Sequence, residues 1–274
     1  EELLSAPSFG SKKYKAALVE GGDGFVFEFI NALRKAGHSP SDFPIAVLPC
    51  GTGNGVATSV GIRSAADTGA ALLRGEVRNL DLLEVTLGDD EQEPMLAALS
   101  VGWGAIADHD FHSEGQLRSL GALRLLVAPA MIIALKREYR GTIRFMPHAR
   151  QGPVERPHEI DEEGRVVIKD TFCLVHCCNL PWLASDALAA PGSKPDDGAV
   201  GVVVMQTSSR LNMLKMFLAC ESGTHVDMPF VQLYWATDVT LEPEAAPVGS
   251  IAVDGEAMGY PSRVGVRVLP SAGR

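Results

Sequence analysis

At 274 residues and 29.1 kDa the chain is long enough for two compact units with separate cores. Its 46% hydrophobic and 21% charged residues exclude extended disorder. A formal net charge of -10 argues against a nucleic-acid partner, which is held mainly by clustered Lys and Arg, and against broad electrostatic adhesion to an anionic membrane.

The chain opens on Glu1 and a short polar leader, which reads as the start of a fragment. Residues 15–20 read as a first strand, 25–35 as a helix, and 45–48, bounded by Pro44 and Pro49, as a second buried strand followed by a helix over 52–60. Strand, glycine turn and helix, twice in succession, predict a partial α/β domain with a parallel sheet. After Arg78 the texture changes to short β runs at 82–87, 96–101, 142–146, 171–177, 200–205, 233–241, 251–253 and 264–269. Strands that follow one another without helices between them predict a predominantly antiparallel β-sandwich. The expected division is therefore 1–78 and 79–274. Two apolar helices, 121–140 and 210–220, interrupt the β region, and 147–164 reads as a polar surface loop. The longest apolar stretch, around 125–135, falls short of the roughly 20 residues that a membrane helix needs. Cys50, Cys173, Cys177, Cys178 and Cys220 contain no CxxC pair, a pattern of reduced thiols that points to a cytoplasmic setting.

Two turns carry chemistry. Gly21-Gly22-Asp23-Gly24 lies between a strand and a helix, where glycines let a ligand approach the backbone and the helix start offers free N–H groups to an anion. A tight turn with Asp23 as helix cap fits the same residues. Pro49-Cys50-Gly51-Thr52-Gly53-Asn54 repeats the arrangement one βα unit later, so both loops face the same side of the sheet, outside the carboxyl ends of its strands. Neither loop has the GxGxxG or GK[ST] spacing of the common nucleotide motifs. His176, Cys177 and Cys178 read as core rather than as a metal site, since neighbours on a strand point to opposite faces.

The two loops in this order resemble the catalytic domain shared by diacylglycerol, ceramide and sphingosine kinases. The segment Leu99-Ser100-Val101-Gly102-Trp103-Gly104-Ala105-Ile106-Ala107-Asp108-His109-Asp110, followed by Ser113-Glu114 and by Leu120-Gly121-Ala122-Leu123-Arg124, resembles the sphingosine kinases in particular. So do Tyr139-Arg140-Gly141, Ala189-Ala190-Pro191 and Ala252-Val253-Asp254-Gly255-Glu256, so that the likeness covers nearly the whole chain.

The resemblance implies an ATP-dependent lipid kinase that phosphorylates the primary hydroxyl of a sphingoid base. It implies Asp23 as the general base; Gly51, Thr52 and Gly53 around the ATP phosphates; and Glu28, Arg118, Arg124, Asp254, Gly255 and Glu256 as further nucleotide contacts. One extra residue between Glu114 and Arg118 departs from the family spacing. Gly21, Gly22, Asp23, Gly24, Ser100 and Asp110 would meet the lipid head group, with Asp110 selecting the ammonium or neighbouring hydroxyl of a sphingoid base. Mg²⁺ would arrive with ATP; no protein ligand for it is identified. Leu123, Leu126, Met131, Ile132, Leu214, Phe217 and Leu218 are candidates for the walls of a tunnel around the lipid tail. Substrate access implies peripheral, transient membrane contact by a cytoplasmic protein. A ceramide or diacylglycerol kinase, or a non-catalytic lipid-binding relative, stays open. The family's opening Asn-Pro loop has no counterpart upstream of Lys15.

Overall fold

The computed structural model describes residues 14–88, 93–108, 124–152, 159–244 and 249–274, with the backbone alone over 124–129. Its first part is the expected βα repeat. β1 (Ala17–Gly21) and β2 (Ile45–Pro49) pair in parallel, from Ala17 opposite Ile45 to Gly21 opposite Pro49. Both strands therefore deliver a glycine turn at the same end of the sheet. α1 (Asp23–Lys35) buries Val26, Ile30 and Leu33, positions that share one face of a 3.6-residue helix.

β2 leads through the second turn into α2 (Gly55–Ser59) and α3 (Ala65–Arg74). α2 is shorter than the helix expected over 52–60. Asn54 is left-handed, with φ 57°, so the residues before it lie outside the helix. α3 was not expected, although its ends carry ordinary signals: Ser64 caps it by accepting the Asp67 N–H, and Gly75 closes it with φ 64°.

The rest is one 11-stranded sheet folded into two layers. Its strands are β3 (Leu80–Leu87), β4 (Met95–Ala97), β5 (Ser100–Gly104), β6 (Tyr139–Pro147), β7 (Glu159–Ile160), β8 (Val166–Cys178), β11 (Val200–Gln206), β12 (Val231–Pro243), β13 (Ile251–Val253), β14 (Glu256–Ala257) and β15 (Val264–Gly273). β9 (Trp182–Ala184) and β10 (Ala187–Leu188) form a separate hairpin. All pairings in the large sheet are antiparallel.

The two longest strands make the fold a sandwich. β8 pairs with β6 through Val166–Phe172 and with β5 through Leu174–Cys178, and its second half also pairs with β11. β12 pairs with β11 up to Ala236 and with β6 from there on. Each passes from one layer into the other. Trp103, Tyr139, Phe145 and Phe172 fill the space between the layers and are fully buried. From Phe172 to Cys178 every residue of β8 is buried, as expected of a strand covered on both faces.

Two helices pack beside this sheet. α4 (Arg124–Leu135) stops short of the expected residue 140, because Lys136 turns left-handed (φ 43°) and Tyr139 and Arg140 already belong to β6. Residues 121–123 lie outside the described residues. α5 (Arg210–Ala219) is capped by Ser209.

A second core joins the βα repeat to the sandwich: Val19, Val26, Ile30 and Val47 pack with Leu80, Leu82, Leu96 and Leu180. Each such aliphatic side chain contributes about 1.5–3 kcal/mol when fully buried. The two parts are also tied by Arg34, which donates to the Pro94 carbonyl (2.5 Å), and by Asn31, which bonds the backbone of Leu96 on both sides.

Candidate active site

The two glycine turns meet backbone to backbone. The Cys50 N–H donates to the Gly21 carbonyl (3.2 Å), and a Cβ on Gly22 would stand 3.1 Å from the Gly51 Cα. Only glycine fits on either side of this contact. Asn54 closes the second turn on itself: its Oδ1 accepts the Gly51 N–H (2.9 Å) and its Nδ2 donates to the Gly51 carbonyl (2.7 Å).

Asp23 joins one loop to the other. Its Oδ2 accepts the Gly55 N–H and its Oδ1 the Val56 N–H, both at 2.9 Å. It therefore sits at the start of α2 in the position an anion would take. Burial holds its carboxyl above the ordinary aspartate value, against the pull of the Val56 and Gly55 N–H groups. A carboxylate has about four acceptor positions, so both oxygens keep room for a hydroxyl donor. Its raised affinity for a proton suits it to accept one. The Thr52 and Gly53 N–H groups have no hydrogen-bond partner among the described residues, and Thr52 is exposed. They are the open donors of the loop.

The sandwich approaches these loops through residues 254–256. Asp254 is buried and left-handed (φ 49°), and its carboxylate accepts the N–H groups of Ala98 (2.7 Å), Leu99 (2.9 Å) and Ser100 (2.8 Å). Burial pushes it up to about 7 against those three donors, and the Asp23 carboxylate adds to the rise. The two acids are thus near neighbours. With its oxygens filled by backbone, Asp254 shapes the turn that holds the buried Ser100. Glu256 is the member that reaches across: a Cβ on Gly24 would stand 3.0 Å from its Oε1.

The structure brings Gly21, Gly22, Asp23, Gly24, Gly51, Gly53 and Glu256 together, with Asp254 and Ser100 directly behind. Glu28 is exposed and lies apart, in a surface groove of about 680 Å³ along β1 and α1 lined also by Leu18, Phe25 and Lys35. Asp110 and Arg118 lie outside the described residues. Arg124 starts α4, and its side chain is not described.

The tunnel candidates differ in burial. On α5 the residues that turn inward are Met213 and Met216, whereas Leu214 is 42% and Leu218 is 70% exposed. Helical phase puts 213 and 216 on the packed face and carries 214 and 218 past it. Phe217 is half-buried, as is Met131, and Ile132 is buried. The Leu123 and Leu126 side chains are not described.

Three features went unread in the sequence. The sequence motif assigns Asn54 no role, although Asn after a glycine turn is a recognised left-handed residue. Asp108 is a buried hub: it accepts from Tyr139 Oη (2.8 Å), Ser250 Oγ (2.9 Å) and Arg137 (3.1 Å), which fixes the corner leaving β5. The β9–β10 hairpin, seated on the second glycine turn, had no local signal. His176, Cys177 and Cys178 are buried; burial lowers His176 to about 4 and raises Cys177 to about 12. Among the described residues no three His, Cys, Asp or Glu side chains form a metal cage, and no helix is long and apolar enough to cross a membrane.

Residues 5–85 match the family described as the diacylglycerol kinase catalytic domain, and residues 140–274 the YegS C-terminal NAD kinase beta sandwich-like domain. The chain is 29% identical to sphingosine kinase 2 of Arabidopsis thaliana over 92% of its own length and 58% of that protein's. It is 29% identical to sphingosine kinase 1 of Homo sapiens over 94% of its own length and 74% of that protein's. It thus spans less than two thirds of the plant relative. Its fold is similar to the crystal structure of a diacylglycerol kinase from Bacillus anthracis str. Sterne, with a TM-score of 0.62 at 16% identity, over 96% of this chain and 76% of that one.

Proposed function

We propose that this chain, which is similar to the diacylglycerol kinase catalytic domain over residues 5–85 and to the sphingosine kinases over most of its length, carries the site of a lipid kinase that moves the γ-phosphoryl group of ATP onto the primary hydroxyl of a sphingosine-like base, giving sphingosine 1-phosphate. The observation that carries this reading is the pair of glycine turns in backbone contact, with Asp23 between them and bonded to the start of α2. An acid placed beside open backbone donors supplies what phosphoryl transfer needs from a protein: a proton acceptor at the attacking hydroxyl and fixed dipoles at the phosphates.

In this reading the Thr52 and Gly53 N–H groups hold phosphate oxygens, and Asp23 takes the proton as the substrate oxygen bonds to phosphorus and ADP leaves. Glu256 closes on the first loop from the sandwich, and Asp254 sets Ser100 beside the head group. Glu28, Gly255, Arg118 and Arg124 are proposed nucleotide contacts on the family pattern alone. ATP would bring Mg²⁺, which neutralises phosphate charge; the described carboxylates form no cage for it. Residues 1–78 would carry the nucleotide and 79–274 the lipid. Transient docking of a cytoplasmic protein on a membrane would deliver the substrate.

The test is transfer of labelled phosphate from ATP by the purified protein to sphingosine, ceramide and diacylglycerol in parallel. Sphingosine should be the preferred acceptor. Preference for either neutral lipid would replace the substrate assignment, and lipid binding without transfer would mark a non-catalytic relative. Asp110→Asn should lower kcat/KM for sphingosine roughly 10- to 150-fold, the loss of one charge-assisted bond. It should leave ATP affinity unchanged and cost less on an uncharged analogue that keeps both hydroxyls.

A further inference from the structure

α5 is apolar on two opposite sides. Met213 and Met216 are buried in the sandwich core, whereas Leu211, Leu214 and Leu218 are 59%, 42% and 70% exposed. With successive residues about 100° apart around the axis, the three leucines share an arc of about 60° on the side opposite the two methionines. Lys215 and Arg210, both exposed, stand about 40° to either side of that arc. The last turn of α4 lies alongside: Arg210 Nε donates to the Ala134 carbonyl (3.1 Å), and Leu135, next to Lys136, is 52% exposed.

Single exposed leucines need no explanation, but three in phase on one helix, with a fourth at its neighbour, mark a surface that something covers. Shape and charge select the occupant. Leucines opposite the packed side form a convex crest, the form in which an interfacial helix sinks its apolar side into a bilayer. No Asp or Glu occurs from Thr207 to Cys220, in a chain whose net charge is -10, so the basic flanks are a local exception that an anionic headgroup layer complements. Of the acids that border the patch, Glu138 is paired with Lys136 (3.5 Å), and Glu221 lies beyond the end of the helix. A second copy laid on the same crest would set Arg210 and Lys215 against like charges.

We propose that the outward side of α5, with the end of α4, is the surface by which this protein docks on an anionic lipid bilayer. Leu211, Leu214 and Leu218 enter the interface, and Arg210 and Lys215 meet headgroup phosphates. The proposal rests on the kinase reading for the reason to meet a bilayer, and it assigns that docking to one face. Because the rest of the chain is acidic, the attraction is local and sets which side lands.

The experiment is co-sedimentation of the purified protein with vesicles of phosphatidylcholine, with and without phosphatidylserine, in the absence of sphingosine and ATP. The wild type should bind the phosphatidylserine vesicles more tightly than the neutral ones, by roughly 5-fold for each basic residue engaged. Leu211→Gln/Leu218→Gln should lower binding to both vesicles about 10-fold or more, while Arg210→Gln/Lys215→Gln should lower it only where phosphatidylserine is present. Leu211 and Leu218 lie outside the core, so the leucine variant should unfold at the wild-type temperature, which separates lost docking from lost structure. Three outcomes overturn the proposal: a wild type that binds neither vesicle, a leucine variant that binds as the wild type does, or a wild-type dimer without vesicles that the leucine variant abolishes, since a second copy would then cover the face. None of these measurements uses phosphoryl transfer, so the kinase reading stands or falls separately in the transfer assay above.

Discussion

Gly51→Ala tests whether the meeting of the two turns is the heart of the site. A Cβ at position 51 would stand 2.9 Å from the Gly22 nitrogen, nearer still to its Cα, and 3.0 Å from Asn54 Oδ1. Carbon atoms prefer separations of about 3.5–4.0 Å, and the obstacle is backbone that no rotamer change removes, so the loops must part by roughly 1 Å. Overpacking of this kind costs about 1–3 kcal/mol of stability, which a marginal domain survives. Catalysis has less tolerance: a misplacement of about 1 Å costs on the order of 100-fold in rate. The assay pairs thermal unfolding with single-turnover phosphoryl transfer to sphingosine. Gly152→Ala is the control, since a Cβ there meets nothing within 4 Å. Transfer within about 3-fold of wild type by a folded Gly51→Ala protein would refute the argument that this contact sets the site.

Asp23→Asn should lower transfer by roughly 10²–10⁴-fold and, by turning one amide N–H₂ toward a backbone N–H, cost about 1–3 kcal/mol in stability; wild-type turnover would remove Asp23 from the mechanism. Asp254 carries a pH signature. Its pKa in the fold, about 7, lies above the ordinary value of 3.8, so its contribution to stability is fully present below about pH 4 and is lost as pH rises through about 7. The stability gap between wild type and Asp254→Asn, followed by thermal unfolding from pH 4 to 8, should narrow over that window. A gap that widens would mean that the three N–H donors outweigh burial. Gly69→Ala, in the middle of α3 with open space around its Cβ position, should stabilise the protein by about 0.5–1 kcal/mol in chemical denaturation. Destabilisation would mean that α3 is not a helix there.

Much of this architecture is legible in the residues, because the strands are short apolar runs and the turns are glycines. The eight β runs read after Arg78 each fall in or across observed strands, and the parallel pairing of β1 with β2 follows from two βα units in succession. What stayed hidden depends on long-range partners. β8 extends to Val166, well before the expected residue 171, because β6 pairs with Val166–Phe172, and nothing local in Ile168-Lys169-Asp170 announces that strand. α3 was missed because Gly69 interrupts it and its apolar residues Leu72 and Leu73 are exposed, which blurs the helical period, although Ser64, Asp67 and Gly75 mark its ends. At the site, the turns and Asp23 could be read, but the use of Asp254 could not. A motif places the acid near the nucleotide, while only three dimensions show its oxygens filled by Ala98, Leu99 and Ser100.

The passage of β8 and β12 through both layers has a consequence for how the sandwich opens. Two sheets that meet only through side chains slide or part by breaking apolar contacts, and each keeps its ladder while doing so. Here the layers share two continuous ladders, with Phe172 and Ala236 at the crossings, so separating them requires peeling backbone pairs on both sides at once. Amide protons around these two residues should then exchange with solvent only through global unfolding, among the slowest in the molecule, and at a common rate in both layers.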